Sequence, residues 1–355
     1  MPPRHTDVLI LGQGLAGSAL AWRLAERGVS AVVVDRGGVD GAGRPSASRV
    51  AAGLITPVTG KRLTVAEEFD TQWRSARDFY RRVESEVGES LLAERPAIRL
   101  FIDDAERARF DERLLDDEFQ RHTRLATASE LPEAMPAPWG GFVMTGAARL
   151  NVGAYLAATR DRLQANDRYL QAELKSEHEL TVTASGVAIR RLGVTARLVV
   201  LCQGHAPGLS DGRLAPATQL APAKGEVLTI ESPTLRDARV VHRGVWIAPD
   251  ESGLPGRFRV GSTHTWEDLN STPTAAGREE LVVRLAAAGV SDYHVVDHQA
   301  AIRPATSDRR PLSGFSEEAP RVGWLNGLGS KGSLWAPWYA DRLAERIARE
   351  GLESP

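Results

Sequence analysis

Apolar and polar positions along the chain follow two rhythms. Thr6–Leu11 (TDVLIL) ends in an unbroken apolar run, which predicts a buried strand. Leu20 and Leu24, with the small residues Ala16, Ala19 and Ala21, recur at helical spacing. They predict a helix over Leu15–Arg27, ended by Gly28. Ser30–Asp35 (SAVVVD) is a second valine-rich strand, so the chain opens as a βαβ unit. Gly37–Ala52 is a loop of Gly, Ser and Ala. Phe69–Val87 carries Trp73, Phe79, Tyr80 and Val83 on one face and predicts a long amphipathic helix. Ala105–Phe119 reads as one heavily charged surface helix.

Farther on, Asn151 stands as the N-cap of a helix over Val152–Leu163. Thr181–Ala184 and Ala188–Arg191 predict a hairpin. Leu198–Cys202 (LVVLC) is continuously apolar before Gln203-Gly204, as in a parallel strand buried on both faces. Gly225–Val296 alternates (EVLTIE, RVVHRGVWIAP, RFRVGST) and predicts a mixed sheet, with a helix at Arg278–Ala288. Val322–Leu325 is a short strand and Leu334–Arg349 a helix. There is no internal repeat and no low-complexity tract.

The 355 residues suffice for two intertwined domains. The formal net charge of −2 exerts no global pull on nucleic acid or anionic membrane. Only Lys61, Lys175, Lys224 and Lys331 are lysines, so an abundance of arginine carries little functional information. The single cysteine, Cys202, excludes an internal disulfide and a multi-cysteine metal site, and no metal is expected. The N-terminus lacks a charged lead followed by a signal-type apolar segment, and its apolar run is too short to span a bilayer. A cytoplasmic protein without membrane attachment is the expectation.

Gly12-Gln13-Gly14-Leu15-Ala16-Gly17 is a GxGxxG loop between strand and helix. Gly12 permits the turn, Gly14 lets a pyrophosphate approach the backbone, and Gly17 allows close helix–strand packing. The amides of Leu15 and Ala16 lie at the helix start, where free N–H groups favour an anion. Asp35 ends the second strand, at the spacing of a ribose ligand, with Arg36 beside it. The motif leaves NAD and FAD open; Asp35 disfavours the extra phosphate of NADP. A second glycine loop, Asn326–Gly332 (NGLGSKG), opens the last helix.

Four segments, GQGLAG, SASRVAAGLITPVTG (Ser46–Gly60), AIRPATSDRRPLSG and GLGSKGSLWAP, together resemble the FAD-dependent D-amino acid oxidase/glycine oxidase superfamily. The resemblance covers essentially the whole chain. It extends in particular to the FAD oxidase module of the bifunctional enzymes of tRNA 5-methylaminomethyl-2-thiouridine biosynthesis. It implies an α/β fold: a Rossmann-like FAD-binding domain of the glutathione-reductase type, interleaved with a mixed-sheet α+β substrate domain. The implied FAD-binding domain is 1–62, 145–215 and 300–355, and the substrate domain is 63–144 and 216–299.

By the same resemblance, Gly12, Gly14 and Gly17 match the pyrophosphate loop of non-covalently bound FAD, Asp35 the ribose ligand and Ser48 a pyrophosphate hydroxyl. Ala51 with Ala52, Gly53 and Leu54 matches the small-residue segment along the isoalloxazine. Gly204 matches a turn near FAD, and Gly329, Ser330, Lys331, Gly332 and Ser333 match the loop at the flavin end. The second glycine loop is thus read as the other end of one FAD. Arg303 matches the arginine that grips a substrate carboxylate, a task for a planar guanidinium. Trp246 falls where relatives place an aromatic on the substrate side. Lys331 replaces an arginine or asparagine of relatives, and Asp35 replaces a glutamate. His264 and His298 are read as structural, not as catalytic bases.

The resemblance implies oxidation of the C–N bond of an amino acid or N-substituted glycine by hydride transfer to flavin N5, with hydrolysis of the imine. Orientation carries most of such catalysis. Lys331 is expected to favour flavin reduction or its reoxidation. Two other readings stand beside this one. A tRNA wobble-uridine oxidase is supported by the loop resemblance and opposed by the near-neutral charge, unless Arg74, Arg77, Arg81 and Arg82 gather on one face. A non-catalytic flavin-binding subunit is opposed by the presence of Arg303.

Overall fold

The computed structural model describes residues 4–38, 45–174, 176–205 and 220–350. The chain forms two compact units: Met1–Ala51, Val152–Ala223 and Ile302–Pro355 make the first, Ala52–Asn151 and Lys224–Ala301 the second. The domain boundary expected at 215/216 lies outside the described residues.

The first unit is built on a sheet whose core order is Tyr169–Gln171, Ala31–Asp35, Arg4–Leu11, Val194–Leu201. These four pair in parallel, with Leu9 opposite Val199 and Val32. The last half of Val194–Leu201 adds Val322–Asn326 in parallel. Its first half adds the antiparallel hairpin of Gly186–Ile189 and Thr181–Thr183. The apolar runs VLIL, VVV and LVVL occupy the centre because a parallel strand is covered on both faces. Leu9, Leu11, Val32, Val34, Val199 and Leu201 pack on one side with Leu174, Leu180 and Val187. Burying each such side chain is worth roughly 1.5–3 kcal/mol. The helix Leu15–Ala25 packs against the C-terminal helix Gly332–Glu350. The βαβ opening read from the sequence and the Rossmann-like unit implied by the resemblance are therefore present.

The second unit is built on an eight-stranded sheet in the order His294–Arg303, Ala223–Glu231, Arg257–Gly261, Val245–Pro249, Val241–Arg243, Ala97–Leu100, Gly141–Met144, Thr123–Leu125, of which only the strand ends Ala223, Ile302 and Arg303 are counted with the first unit. It is a mixed sheet, because Val241–Arg243 runs parallel to Ala97–Leu100 while the other pairs from Ala223–Glu231 to Thr123–Leu125 are antiparallel. Alternation assigns the faces. Ile98, Leu228, Val241, Ile247 and Val260 pack with Leu281 and Leu285 of the helix Ala275–Ala287. Ala97, Phe142, Met144, Ala248 and Trp246 pack on the other face with Phe101, Phe110 and Phe119. Phe110 stacks on Phe142 at 4.8 Å between centroids.

Phe69–Val87 is helical throughout, as its periodicity predicts. The single helix expected over Ala105–Phe119 is instead two, Asp104–Arg113 and Asp117–His122. The Asp116 carboxylate accepts the Glu118 and Phe119 N–H groups and caps a new start. The loop Gly37–Ala52 contains a helical turn, Ala47–Val50. Among the described residues no helix is long and apolar enough to cross a membrane.

Candidate functional site

The first strand hands the chain to the glycine loop within the first unit. Gly12 has φ +105°, and a Cβ there would lie 2.5 Å from the Cys202 carbonyl oxygen. A Cβ on Gly17 would lie 1.9 Å from the Gly12 carbonyl oxygen. The first helix begins at Leu15 without a side-chain cap, so its opening amides have no side chain laid across them by Gly14. One of them, Leu15 N–H, donates to Ser48 Oγ at 3.1 Å. A Cβ on Gly14 would come 2.9 Å from that same hydroxyl. This cradle is open only because residue 14 is glycine. Helix-start amides beside a serine hydroxyl fit a pyrophosphate.

Asp35 is closely held. Its Oδ2 accepts the Gln13 N–H at 2.9 Å and its Oδ1 the Gly37 N–H at 2.7 Å. The Tyr169 hydroxyl reaches Oδ1 at 3.4 Å and the Arg160 guanidinium stands 3.6 Å away. Burial, and then the charge of Asp35, push the Tyr169 hydroxyl up to about 12. Gln13 is buried; its amide donates to the Leu156 carbonyl at 2.8 Å and its Oε1 accepts from Arg160 at 2.7 and 2.9 Å. Gln13, Arg160 and Tyr169 escaped the sequence reading. The only signal was an amide in the variable position of a glycine loop. Arg36 is half-buried at the strand end.

The second glycine loop lies against the first. A Cβ on Gly332 would come 2.8 Å from Leu15 Cδ1. Gly327 and Gly329 have φ +74° and +53°. Asn326 Nδ2 donates to the Gly204 carbonyl at 2.9 Å, and Gly329 N–H donates to the Pro304 carbonyl at 3.0 Å. The first unit thereby gathers Gly204, the Arg303-Pro304 step, Gly329–Gly332 and the phosphate-type loop. Arg303 is half-buried, and burial lowers its guanidinium pKa. Lys331 Nζ stands over the Trp335 ring, 4.9 Å from its centroid, and the Lys331 carbonyl accepts the Leu334 and Trp335 N–H groups. Ser333 is buried, while Ser330 is exposed.

Ala52, Gly53, Leu54 and Trp246 belong to the second unit. Gly53 has φ +71°, and its Cβ would lie 1.9 Å from the Leu150 carbonyl oxygen. Its own carbonyl accepts the Leu150 N–H at 2.9 Å. Leu54 pairs with Arg149. Trp246 lies opposite Gly261, where a Cβ would meet the indole at 2.4 Å. The glycine is what leaves room for the indole at that position. His264 packs edge-on against Trp266, and His298 Nε2 stands 2.7 Å from the buried Glu226 carboxylate.

Comparison with known proteins follows the same lines. The sequence family described as FAD dependent oxidoreductase matches residues 7–346. The bifunctional tRNA 5-methylaminomethyl-2-thiouridine biosynthesis protein MnmC of Marinobacter nauticus is 29% identical over 98% of this chain, which spans 57% of that protein. The chain thus spans little more than half the length of the MnmC proteins it matches. Glycine oxidase of Bacillus licheniformis is 24% identical over 97% of this chain and 93% of its own. The crystal structure of glycine oxidase from Geobacillus kaustophilus superposes with a TM-score of 0.77 at 21% identity, covering 97% of this chain and 94% of that one.

Proposed function

The chain belongs to the family of FAD-dependent oxidoreductases, and from that premise we propose that it oxidises the C–N bond of an amino acid or N-substituted glycine. One observation carries the reading: Arg303 adjoins the Pro304 carbonyl that holds Gly329, in a loop seated on Leu15 of the phosphate cradle. A carboxylate-gripping cation and both glycine loops thus share one unit.

FAD, when bound, supplies the hydride acceptor. Gly12, Gly14, Leu15, Ala16, Gly17 and Ser48 hold its pyrophosphate, and Asp35 lies on the ribose side. Ala52, Gly53 and Leu54 present small, backbone-rich surface to its ring. Arg303 binds the substrate carboxylate through two parallel N–H donors and so fixes which C–H is presented. Trp246 excludes water from the substrate side. Lys331, at the start of the C-terminal helix, adds positive charge where the helix already presents its N-terminal dipole.

The match to MnmC over nearly the whole chain favours a second reading, oxidation of a glycine-derived group on wobble uridine. The helix Phe69–Val87 gives it little support. Arg81 is engaged by Glu84 at 2.7 Å and Glu94 at 2.6 Å, and Arg77 by Asp78 at 3.4 Å. Cations so paired release few counterions on meeting a phosphate backbone.

The test is anaerobic reduction of the purified holoprotein, followed as bleaching of the flavin band. Bleaching by glycine, sarcosine or a D-amino acid supports the first reading. Bleaching by modified tRNA alone transfers the assignment to the second, and an inert flavin would sink both.

A further inference from the structure

We propose that Arg149 is a positioning residue that locks the Ala52–Leu54 segment to the strand carrying Trp246. The inference rests on the reading of that segment as the surface along the flavin ring. Arg149 lies in the middle strand of a small antiparallel sheet, Leu54–Ile55, Ala148–Leu150, Leu92–Glu94. Its Nε donates to the Ala52 carbonyl at 2.9 Å. Its Nη1 donates to the Pro249 carbonyl, at the end of the strand Val245–Pro249. Its Nη2 stands 3.5 Å from the Glu251 carboxylate. Three nitrogens of one rigid plane therefore reach the proposed flavin segment, the Trp246 strand and the turn that follows it.

The neighbouring backbone completes the clamp. Leu150 N–H donates to the Gly53 carbonyl, so two consecutive carbonyls of the segment, Ala52 and Gly53, are bound by two consecutive residues, Arg149 and Leu150. The segment approaches so closely that only glycine fits at position 53. The Arg149 side chain is 14% exposed. Burial lowers its pKa, and the nearby Arg259 opposes its charge while Glu251 and Asp250 favour it.

Burying a cation chiefly on main-chain carbonyls is a poor route to stability, since an apolar residue of similar volume commonly does as well. What a guanidinium adds is a fixed angle between three acceptors. A lysine offers a single point charge at the end of a flexible stem and cannot span them. Geometry is thus the property that Arg149 supplies and that the Arg149→Lys substitution removes while keeping the charge.

The experiment compares wild-type, Arg149→Lys and Glu251→Gln holoproteins. Each is checked by thermal melting, the visible flavin spectrum, a substrate-free potentiometric titration, and amine-driven flavin reduction. Arg149→Lys should keep its FAD, whose pyrophosphate cradle lies among other residues. It should show an altered flavin band and a shifted midpoint potential. Its limiting reduction rate should fall about tenfold to a hundredfold, with KM for the amine changed far less, as expected when a reacting geometry slips by about 1 Å. Glu251→Gln, which loosens only the third anchor, should shift spectrum and potential in the same direction by less.

Wild-type spectrum and potential in a folded Arg149→Lys protein overturn the proposal. So does a spectral change that appears only as the protein melts, which assigns Arg149 to stability alone. Because spectrum and potential are read without substrate, an enzyme whose flavin no amine bleaches refutes the substrate reading and leaves this test intact.

Discussion

Gly17→Ala adds one methyl group where the cofactor reading is most exposed to test. The new Cβ would stand 1.9 Å from the Gly12 carbonyl oxygen and 3.2 Å from Ile10 Cγ2. Atoms in contact prefer roughly 3.5 Å, so the helix Leu15–Ala25 must withdraw by about 1 Å or more. Overpacking of this kind costs about 1–3 kcal/mol. With an unfolding entropy of about 2.1 cal/mol/K per residue, 355 residues melting together give about 0.7 kcal/mol per degree. The melting temperature should therefore fall by only about 1.5–4 °C. Binding of FAD should suffer more. The amides displaced are those facing the pyrophosphate, and each hydrogen bond to a charged group is worth about 1.5–3 kcal/mol. Losing one weakens the cofactor roughly 10- to 150-fold. The assay is titration of apoprotein with FAD, read by flavin fluorescence, alongside a melting curve. Gly28→Ala is the control: its φ is +69° and no described residue lies within 4 Å of the new Cβ, so it incurs strain of about 1–2 kcal/mol without touching the loop. A Gly17→Ala protein that binds FAD within threefold of wild type refutes the cradle.

Three further outcomes are expected. Arg303→Gln should lower kcat/KM for a carboxylate-bearing amine about 10- to 150-fold, as loss of about 1.5–3 kcal/mol requires, with flavin content unchanged; equal kcat/KM removes Arg303 from substrate recognition. Lys331→Met should lower the flavin potential or slow its reoxidation, and unchanged potential and turnover dismiss a role for that ammonium. His242 is a pH probe: its Nε2 is sealed from solvent and has no hydrogen-bond partner among the described residues, and burial, then the charge of Arg99, push the ring down to about 3. The unfolded chain therefore takes the proton first. Stability owes nothing to this ring above about pH 6.5 and falls as the pH drops from there toward 3. At about 1.36 kcal/mol per unit, about 2 kcal/mol is lost by pH 5. Urea titrations of His242→Gln should show that much less loss between pH 7 and 5 than wild type, and parallel losses would refute the assignment.

What was legible in the sequence tracks where a single physical cause dominates. The parallel strands stood out because burial on both faces forces unbroken apolar runs, and Phe69–Val87 because a half-buried helix keeps one period over its 19 residues. The break between Asp104–Arg113 and Asp117–His122 was hidden. It turns on one carboxylate choosing backbone N–H groups two and three residues ahead, in a stretch where charged residues mask the period. The order of the eight-stranded sheet was equally hidden, since it pairs residues as distant as His242 and Arg99. Alternation fixes which side chains share a face but not which strand lies next.

The same distinction separates the parts of the candidate site. The glycine loops were legible because their conformations exclude a Cβ. Arg149 was not, because a buried arginine among 44 basic residues has no local signature. Asp35 falls between these cases. Its spacing is that of the proposed ribose ligand, yet its oxygens already accept from Gln13 and Gly37. The proposed role is compatible with these bonds, because a carboxylate offers about four acceptor positions, and two N–H donors with the Tyr169 hydroxyl leave one for a ribose hydroxyl. The two are also coupled: a ligand oxygen fixed by the amides of residues 13 and 37 cannot drift when the ribose binds. Shortening glutamate to aspartate at this position then has a physical sense. The shorter side chain holds its carboxylate close enough to the strand end for both amides to reach it.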